Sequence, residues 1–218
     1  MSPIAVLSSC NVYRLITGQM ASNCYLVVDR ETTEGVVIDL GDDAEYITDT
    51  IVSLSMKPNA IVATHGHFDH IMAAFALQQT FNLPFFLNSK DHMIAKRMPE
   101  SAHHFLGDFP VDPAPILSNK HPAQKSVRLG KTMLTMVPTP GHTPGSMTIV
   151  VNDDEALLVG DVLFQGGGRG RTDFSYSDEM ALQTSIRRIL AFKDTTLMFP
   201  GHGEPTSVRK EKRWYSLT

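Results

Sequence analysis

The sequence predicts an α/β fold, because short apolar strands alternate with amphipathic helices along most of its length. The chain has 218 residues, of which 42% are hydrophobic and 19% charged. This composition supplies enough apolar material for a sizeable core and argues against disorder or a coiled coil. No repeat, low-complexity tract or linker divides the chain, so we expect one domain over residues 1–218.

The first half of the chain carries strand and helix patterns in alternation. Two β-branched runs at 24–28 and 35–39 predict a hairpin of strands. Apolar residues at helical spacing predict a helix over 43–56, and a short apolar strand follows at 60–63. We then expect a helix near 71–80, a strand at 85–87 and a helix near 90–97.

Residues 98–126 interrupt this alternation. Five prolines and little periodicity predict a long surface excursion there, and loops of that length often form functional rims or lids. Strands are expected again at 133–137, 147–151 and 156–159, followed by a Gly-rich loop at 164–177. Apolar residues such as Leu182, Ile186 and Ile189 predict an amphipathic helix over 178–191, before a last strand at 196–199 and a polar tail.

Composition and charge exclude several classes of partner. The formal net charge is −4, so no global positive field attracts nucleic acid. The longest apolar run, residues 71–77, is too short to cross a bilayer, and the first charged residue is Arg14, unlike the basic start of a secretory signal. Two cysteines, Cys10 and Cys24, cannot form a disulfide framework, so we expect packed thiols in a cytoplasmic protein. Nothing in the pattern indicates an oligomeric state.

Histidine and aspartate follow four of the predicted strands directly. The strand at 60–63 is followed by the motif at 65–70, and later strands are followed by His142, Asp161 and His202. Five of the nine histidines fall at these places. Because the carboxyl ends of strands are where sites gather in α/β sheets, we expect these side chains to meet.

The motif His-x-His-x-Asp-His is the sharpest of these signals. It places His65, His67, Asp69 and His70 within six residues. Imidazole nitrogens and carboxylate oxygens are the ligands that Zn²⁺ and similar ions take in proteins. Four such ligands crowd a single ion, because a tight turn points side chains in divergent directions, so two ions sharing the turn fit better.

These segments together resemble the metallo-β-lactamase superfamily and, within it, the short glyoxalase II-like (hydroxyacylglutathione hydrolase-like) proteins. Supporting details are the segments at 22–25, 170–174 and 200–203. The resemblance implies a four-layer αβ/βα sandwich, with two mixed sheets packed face to face, helices outside and the site along one edge.

The resemblance also implies a ligand set for two divalent metal ions. In this ligand set, three residues hold each ion and Asp161 bridges the two ions. The first group, for one ion, is His65, His67 and His142, and the second group, for the other ion, is Asp69, His70 and His202. These ligands suit zinc, our first expectation, and also iron or manganese.

Charge counting indicates the chemistry of such a centre. Two divalent ions, two carboxylates and a bridging hydroxide leave a net charge of about +1, which favours added negative charge. We expect the hydroxide to attack an acyl carbon, with Asp69 orienting it besides binding metal. A thiol leaves without a strong general acid, and no such acid is evident here for an amide, so thioester hydrolysis is preferred over lactam hydrolysis.

The resemblance thus implies hydrolysis of small acyl-glutathione-type thioesters, for example lactoylglutathione to a hydroxy acid and a thiol. Two alternatives stay open: a persulfide dioxygenase with a single iron, and a lactonase or other ester hydrolase on the same dinuclear site. The chain ends 16 residues after His202. We therefore expect it to be without the basic helical region with which full-length hydroxyacylglutathione hydrolases hold glutathione, and the thiol carrier stays open.

Substrate contacts are not indicated clearly by the sequence. Arg171 is a weak candidate, and a structural pair with Asp173 is the preferred interpretation. His103 and His104 lie in the proline-rich segment, where solvated side chains are expected more often than a functional rim. The basic tail residues are interpreted as a solvated end: Arg209, Lys210, Lys212 and Arg213.

Overall fold

The computed structural model describes residues 1–117 and 126–215. Within them, the first sheet has six strands whose order follows the chain. The β4–β5 and β5–β6 pairs are parallel and the other pairs antiparallel, so the sheet is mixed. Its strands are β1 (Ala5–Val6), β2 (Cys10–Thr17), β3 (Ser22–Asp29), β4 (Glu34–Ile38), β5 (Lys57–Val62) and β6 (Phe85–Phe86).

The second sheet is built from the later part of the chain and is also mixed. It has six strands in the order β12-β11-β10-β9-β8-β7, and only the β10–β11 pair among these is parallel. Its strands are β7 (Ser126–Leu129), β8 (Thr132–Pro138), β9 (Met147–Val151), β10 (Ala156–Gly160), β11 (Leu197–Pro200) and β12 (Thr206–Ser207).

Helices cover the outer face of each sheet. The helices are α1 (Ala44–Ser53), α2 (Ala74–Phe81), α3 (His92–Lys96), α4 (Met98–Leu106), α5 (Glu179–Leu190) and α6 (Val208–Glu211). Short 3₁₀ turns lie at Phe68–His70, Ser89–Asp91 and Gln165–Gly167. None of the helices in the described ranges is long and apolar enough to cross a membrane.

Three apolar clusters hold these layers together. One lies between the two sheets, one between the first sheet and helices α1–α4, and one between the second sheet and α5 and α6. Strand β3 shows how the pattern arises: Tyr25 and Val27 belong to the cluster between the sheets, whereas Leu26 and Val28 face the helices. This arrangement confirms the predicted four-layer αβ/βα sandwich. The expectation of one domain over residues 1–218 stays a prediction.

Helix α5 illustrates a predicted element that forms as expected. Its preceding residue, Asp178, accepts a hydrogen bond from the Ala181 amide at 3.0 Å and so caps the first turn. One face of the helix is buried through Leu182, Ile186 and Ile189, the residues whose spacing predicted it.

The predicted surface excursion over residues 98–126 is wrong in its first part. Residues Met98–Leu106 form α4, with Met98 and Ala102 buried. Pro99 lies in the first turn, where a missing amide hydrogen costs nothing, so proline there does not prevent a helix. Residues 107–117 form no helix and no named strand, in agreement with that prediction, whereas residues 118–125, which include His121 and Pro122, lie outside the described residues.

Several strands were not predicted. Strand β2 is buried on both faces, with Cys10 and Val12 in the cluster between the sheets and Leu15 in the cluster under the helices, and the polar residues Asn11 and Arg14 interrupt its apolar pattern. The expected polar tail is also wrong in part, since it forms β12 and α6 with Val208 and Glu211 buried. The predicted helix near 71–80 begins only at Ala74, because residues Phe68–His70 form a separate 3₁₀ turn.

Candidate metal centre

The structure brings all seven predicted metal-ligating residues together at one edge of the sandwich. The segment that carries His65, His67, Asp69 and His70 follows β5 of the first sheet. His142 follows β8, Asp161 follows β10 and His202 follows β11, all in the second sheet. In each of three groups of these residues, the candidate ligand atoms lie within 4.8 Å of one another: His65/His67/His142, His65/His70/Asp161 and Asp69/His70/His202.

The first group is a cluster of three imidazole rings. His67 Nδ1 lies 3.1 Å from His65 Nε2 and 2.9 Å from His142 Nε2. Three ring nitrogens thus converge on one point, in the combination predicted for the first ion. His65 and His142 are buried.

The second group combines two imidazoles with a carboxylate. His202 Nε2 lies 3.2 Å from Asp69 Oδ2 and 3.3 Å from His70 Nε2. This is the combination predicted for the second ion.

Asp161 lies between the two groups. Its Oδ1 is 3.4 Å from His70 Nε2, and its Oδ2 is 3.7 Å from both His142 Nε2 and His202 Nε2. Asp161 Oδ1 is buried and has no hydrogen-bond partner within the described ranges. A buried carboxylate oxygen without a donor is costly, and a cation bound there would satisfy it, so the donor set fits metal ions.

The outer nitrogens of four histidines are each held by a neighbour, which leaves the other nitrogen directed at the cluster. The partners are a hydroxyl, a carboxylate, a backbone carbonyl and a phenol. They are Thr64 Oγ1 at 3.1 Å from His65 Nδ1, Asp39 Oδ2 at 3.1 Å from His70 Nδ1, Arg171 O at 2.8 Å from His142 Nδ1, and the Tyr176 hydroxyl at 2.8 Å from His67 Nε2. Sequence reasoning did not find Asp39 or Tyr176, which lie far from the motif along the chain, and it gave no role to Thr64, which directly precedes His65.

Asp91 is a further residue that sequence reasoning missed. Its side chain is fully buried and accepts hydrogen bonds from the Gly66 amide at 3.0 Å, the Thr143 hydroxyl at 2.6 Å and the Gly145 amide at 2.6 Å. Burial raises the pKa of Asp91, against these donors, which lower it. Because Gly66 and Thr143 each adjoin a predicted ligand, Asp91 fixes the two ligand-bearing loops against each other.

The electrostatics of the first group favour neutral imidazoles. Burial, followed by the neighbouring histidines, lowers the pKa of His65 well below its ordinary value. The same two causes lower the pKa of His67 to about 3. A neutral imidazole is the form that binds a metal ion, so these rings are poised as ligands.

The second group instead stabilises positive charge. Burial alone lowers the pKa of His70, but the carboxylates of Asp161 and Asp69 outweigh it and raise that pKa to about 10. Burial raises the pKa of Asp69, but His70 and His202 outweigh it and hold that pKa well below its ordinary value. A proton or a metal cation can supply the positive charge that these carboxylates stabilise.

The cluster opens into a cavity of about 520 Å³. Its walls combine metal-site residues with apolar and aromatic side chains, among them Met20, Phe68, Ile94, Phe105, Phe164, Phe174 and Tyr176. Gly170 also lines it, and a Cβ on Gly170 would overlap the Asp161 backbone carbonyl. The glycine therefore allows the Gly-rich loop to approach the centre closely.

The structure shows which of the weaker candidates for substrate contact, Arg171, His103 and His104, line the cavity. The Arg171 guanidinium forms two hydrogen bonds to Asp173, at 2.9 and 2.6 Å, while the residue also lines the cavity. His104 lines the cavity, whereas His103 does not and its Nε2 lies 3.0 Å from the Phe109 carbonyl. A substrate role for Arg171 stays a prediction.

The C-terminal tail holds the Gly-rich loop rather than the cavity. Buried Glu211 accepts hydrogen bonds from the Gly167 amide at 2.8 Å and from the Thr206 hydroxyl. The basic tail residues lie outside the cavity lining, and Lys212 pairs with exposed Asp194 at 2.6 Å. Cys10 and Cys24 are buried free thiols, and burial raises the pKa of Cys10 to about 11.

Comparison with known proteins gives a family and a curated relative. Residues 17–202 match the family model described as the metallo-beta-lactamase superfamily. The chain is 35% identical over 195 residues to hydroxyacylglutathione hydrolase GloC of Haemophilus influenzae, an alignment that covers 88% of this chain and 90% of that one.

Two solved structures share both the fold and a substantial part of the sequence. The BLEG-1 B3 metallo-beta-lactamase superposes with a TM-score of 0.80 at 32% identity, covering 93% of this chain and 96% of the other. TTHA1623 in a di-iron-bound form gives a TM-score of 0.81 at 30% identity, covering 92% and 97%.

Proposed function

Because the chain belongs to the metallo-beta-lactamase superfamily, a family of metal-dependent hydrolases, we propose that its substrates are acyl-glutathione-type thioesters such as lactoylglutathione. The observation that carries the proposal is the convergence of seven histidine and aspartate side chains, five of which line a cavity of about 520 Å³. The 35% identity to GloC along 88% of the chain supports the substrate class.

We propose two divalent cations as cofactors, with zinc first and iron or manganese as alternatives. His65, His67 and His142 would hold one cation, Asp69, His70 and His202 the other, and Asp161 would bridge. Divalent cations in such a pair lower the pKa of water, so that hydroxide is available at neutral pH, and they polarise an acyl oxygen. The di-iron form of TTHA1623 shows that a relative of this fold accepts iron.

Side chains of the protein orient the nucleophile and limit the access of water to the substrate. Asp69 Oδ2 lies 3.2 Å from His202 Nε2, and Asp69 lines the cavity, where its carboxylate would accept a hydrogen bond from the attacking hydroxide and orient it. The apolar side chains around the opening limit the access of other water to the acyl carbon. A departing thiol with an ordinary pKa near 8.5 needs no proton from the protein.

The test is an assay of the purified protein together with its metal content. We expect about two metal ions per chain and release of free thiol from lactoylglutathione, both lost in Asp161→Asn. Asp49→Asn, a matched change at an exposed position of α1, should keep both. Full metal loading without thiol release from any of a panel of glutathione thioesters would overturn the proposed function.

A second candidate, β-lactam hydrolysis, is favoured by the likeness to the BLEG-1 enzyme. The same preparation should therefore be offered a chromogenic cephalosporin. The dioxygenase alternative predicts one iron per chain and oxygen uptake with a glutathione persulfide. A preference for either substrate over lactoylglutathione would replace the thioesterase assignment.

A further inference from the structure

The hydroxyl group of Tyr176 contacts one of the predicted metal ligands. It lies 2.8 Å from His67 Nε2, and His67 Nδ1 is the nitrogen that faces His65 and His142. When Nδ1 uses its lone pair on a cation, Nε2 must carry the ring hydrogen and donate it. Tyr176 then accepts that hydrogen bond.

The proton of the Tyr176 hydroxyl is consequently free for another acceptor. A phenol accepts and donates at the same time, and within residues 1–117 and 126–215 this hydroxyl has no hydrogen-bond partner other than His67. Tyr176 is 37% exposed and lines the cavity, so the acceptor is solvent water in the free protein and a group of the substrate when substrate displaces that water.

The position of this hydroxyl is fixed by a chain of stacked side chains. The Tyr176 ring stacks on Phe174 with centroids 5.3 Å apart and planes at 11°. The Arg171 guanidinium carbon lies 4.8 Å from the Phe174 ring centroid, and Asp173 holds the guanidinium through two hydrogen bonds. Stacked and cation–π contacts of this kind restrict the rotamer of Tyr176 and so make its hydroxyl a preorganised donor.

The direction of His67 indicates which substrate atom the donor reaches. Tyr176 lies on the far side of the imidazole ring from the ligand nitrogen, so it is out of reach of an oxygen drawn to the cluster. The substrate group within its reach is then a substituent next to the reacting carbon. We propose, on the basis of the thioesterase function above, that Tyr176 donates a hydrogen bond to the α-hydroxyl of a hydroxyacyl thioester and thereby selects this substrate class.

The test compares two substrates that differ by that one hydroxyl. Lactoylglutathione and propionylglutathione are hydrolysed by the parent protein, by Tyr176→Phe and by Tyr46→Phe, a matched change at an exposed tyrosine of α1. We expect the ratio of kcat/KM for lactoyl over propionyl to fall about 3- to 10-fold in Tyr176→Phe, the range of one neutral hydrogen bond. Tyr46→Phe should leave the ratio unchanged.

Binding measured by calorimetry gives a readout that does not depend on turnover. S-(2-hydroxypropyl)glutathione and S-propylglutathione are non-hydrolysable thioethers with and without the corresponding hydroxyl. The parent should bind the first more tightly, and Tyr176→Phe should lose that preference while the metal content per chain stays the same.

The outcomes separate this proposal from the function on which it rests. Absence of thiol release from both substrates contradicts the thioesterase function itself. Hydrolysis with no preference for the lactoyl group in the parent, or an equal loss for both substrates in Tyr176→Phe, overturns the role of Tyr176 and leaves the thioesterase function standing.

Discussion

At the scale of single residues, the centre depends on which ring nitrogen each histidine directs inward. The outer nitrogen of each of four rings has one hydrogen-bond partner, and these partners are Asp39, Thr64, Tyr176 and the Arg171 carbonyl. The inner nitrogens then converge without further adjustment, which lowers the entropy lost when a cation is bound. The inner set could be predicted from sequence because four of its members lie within residues 65–70. The outer set could not, since the fold alone brings Tyr176 to His67.

Replacement of one ligand tests the inner set directly. In His67→Ala or His142→Ala we expect metal affinity to fall at least 10-fold and turnover to be lost, because each removes one of three converging nitrogens. Metal content by elemental analysis after dialysis measures the first effect. His92→Ala, on α3 and outside the cavity lining, is the matched control. A His67→Ala protein that keeps its metal would contradict the assignment.

At the scale of elements, turns that connect the strands fix the ligand loops. Gly141 has φ +142°, and a Cβ at this position would overlap the backbone of Leu182 in α5. The close approach seats the loop of His142 against that helix. Such contacts explain why some elements could be predicted and others not: β9, buried along its whole length, matches its predicted bounds, whereas the mixed polar pattern of β2 gave no signal.

A single methyl group at Gly141 should therefore disturb the site. We expect Gly141→Ala to lower the free energy of unfolding by about 2–4 kcal/mol and to reduce metal binding, because backbone atoms must move. Gly107→Ala is the control, since its φ of +88° is also strained but nothing lies within 4 Å of the added Cβ. Equal effects of the two variants in urea denaturation would show that backbone strain alone is responsible.

Asp29 joins two elements that belong to different sheets. At the end of β3, it accepts hydrogen bonds from the Thr32 amide at 3.0 Å and, across the sandwich, from the Lys131 amide at 3.1 Å and the Thr132 hydroxyl at 3.0 Å. Burial raises the pKa of Asp29, but hydrogen bonds from Thr32 and Thr132 outweigh burial and lower that pKa to about 2.

This shift predicts a pH-dependent stability. A carboxyl whose pKa is lower in the folded state contributes fully above its ordinary pKa near 4, and the contribution is lost as the pH falls through about 2. We expect Asp29→Asn to be about 2 kcal/mol less stable than the parent at pH 7, with the difference shrinking below pH 4. Urea denaturation across this range measures it, with exposed Asp49→Asn as control. A difference that does not change with pH would contradict the role of the charge.

At the scale of the whole molecule, the two sheets meet beside the metal centre. The Tyr25 hydroxyl and the Asn23 side-chain amide both donate to the Pro200 carbonyl, at 2.7 and 2.9 Å, so that the loop of His202 is fixed against the first sheet. The segment of His65 to His70 follows a strand of the first sheet, and His142, Asp161 and His202 follow strands of the second. Bound cations would thus cross-link the sheets.

Removal of metal should therefore destabilise the whole sandwich. A ligand present at about 1,000 times its Kd contributes about 4 kcal/mol, which for a chain of this size corresponds to a Tm shift of about 10 °C. We expect a chelator to lower the Tm by about that amount, measured by calorimetry. The same chelator should change the Tm of His142→Ala much less. An unchanged Tm in the parent would indicate that the two sheets hold together without the cations.

The sheet order has a consequence for how the protein matures. Among the described residues, the named strands of one sheet lie within residues 5–86 and those of the other within residues 126–207, and a ligand-bearing segment follows strands of each. A half-synthesised chain consequently presents His65, His67, Asp69 and His70 without the residues that would close the coordination spheres. We therefore expect tight binding of an ion only after both halves have docked, so that metal loading follows the assembly of the two sheets.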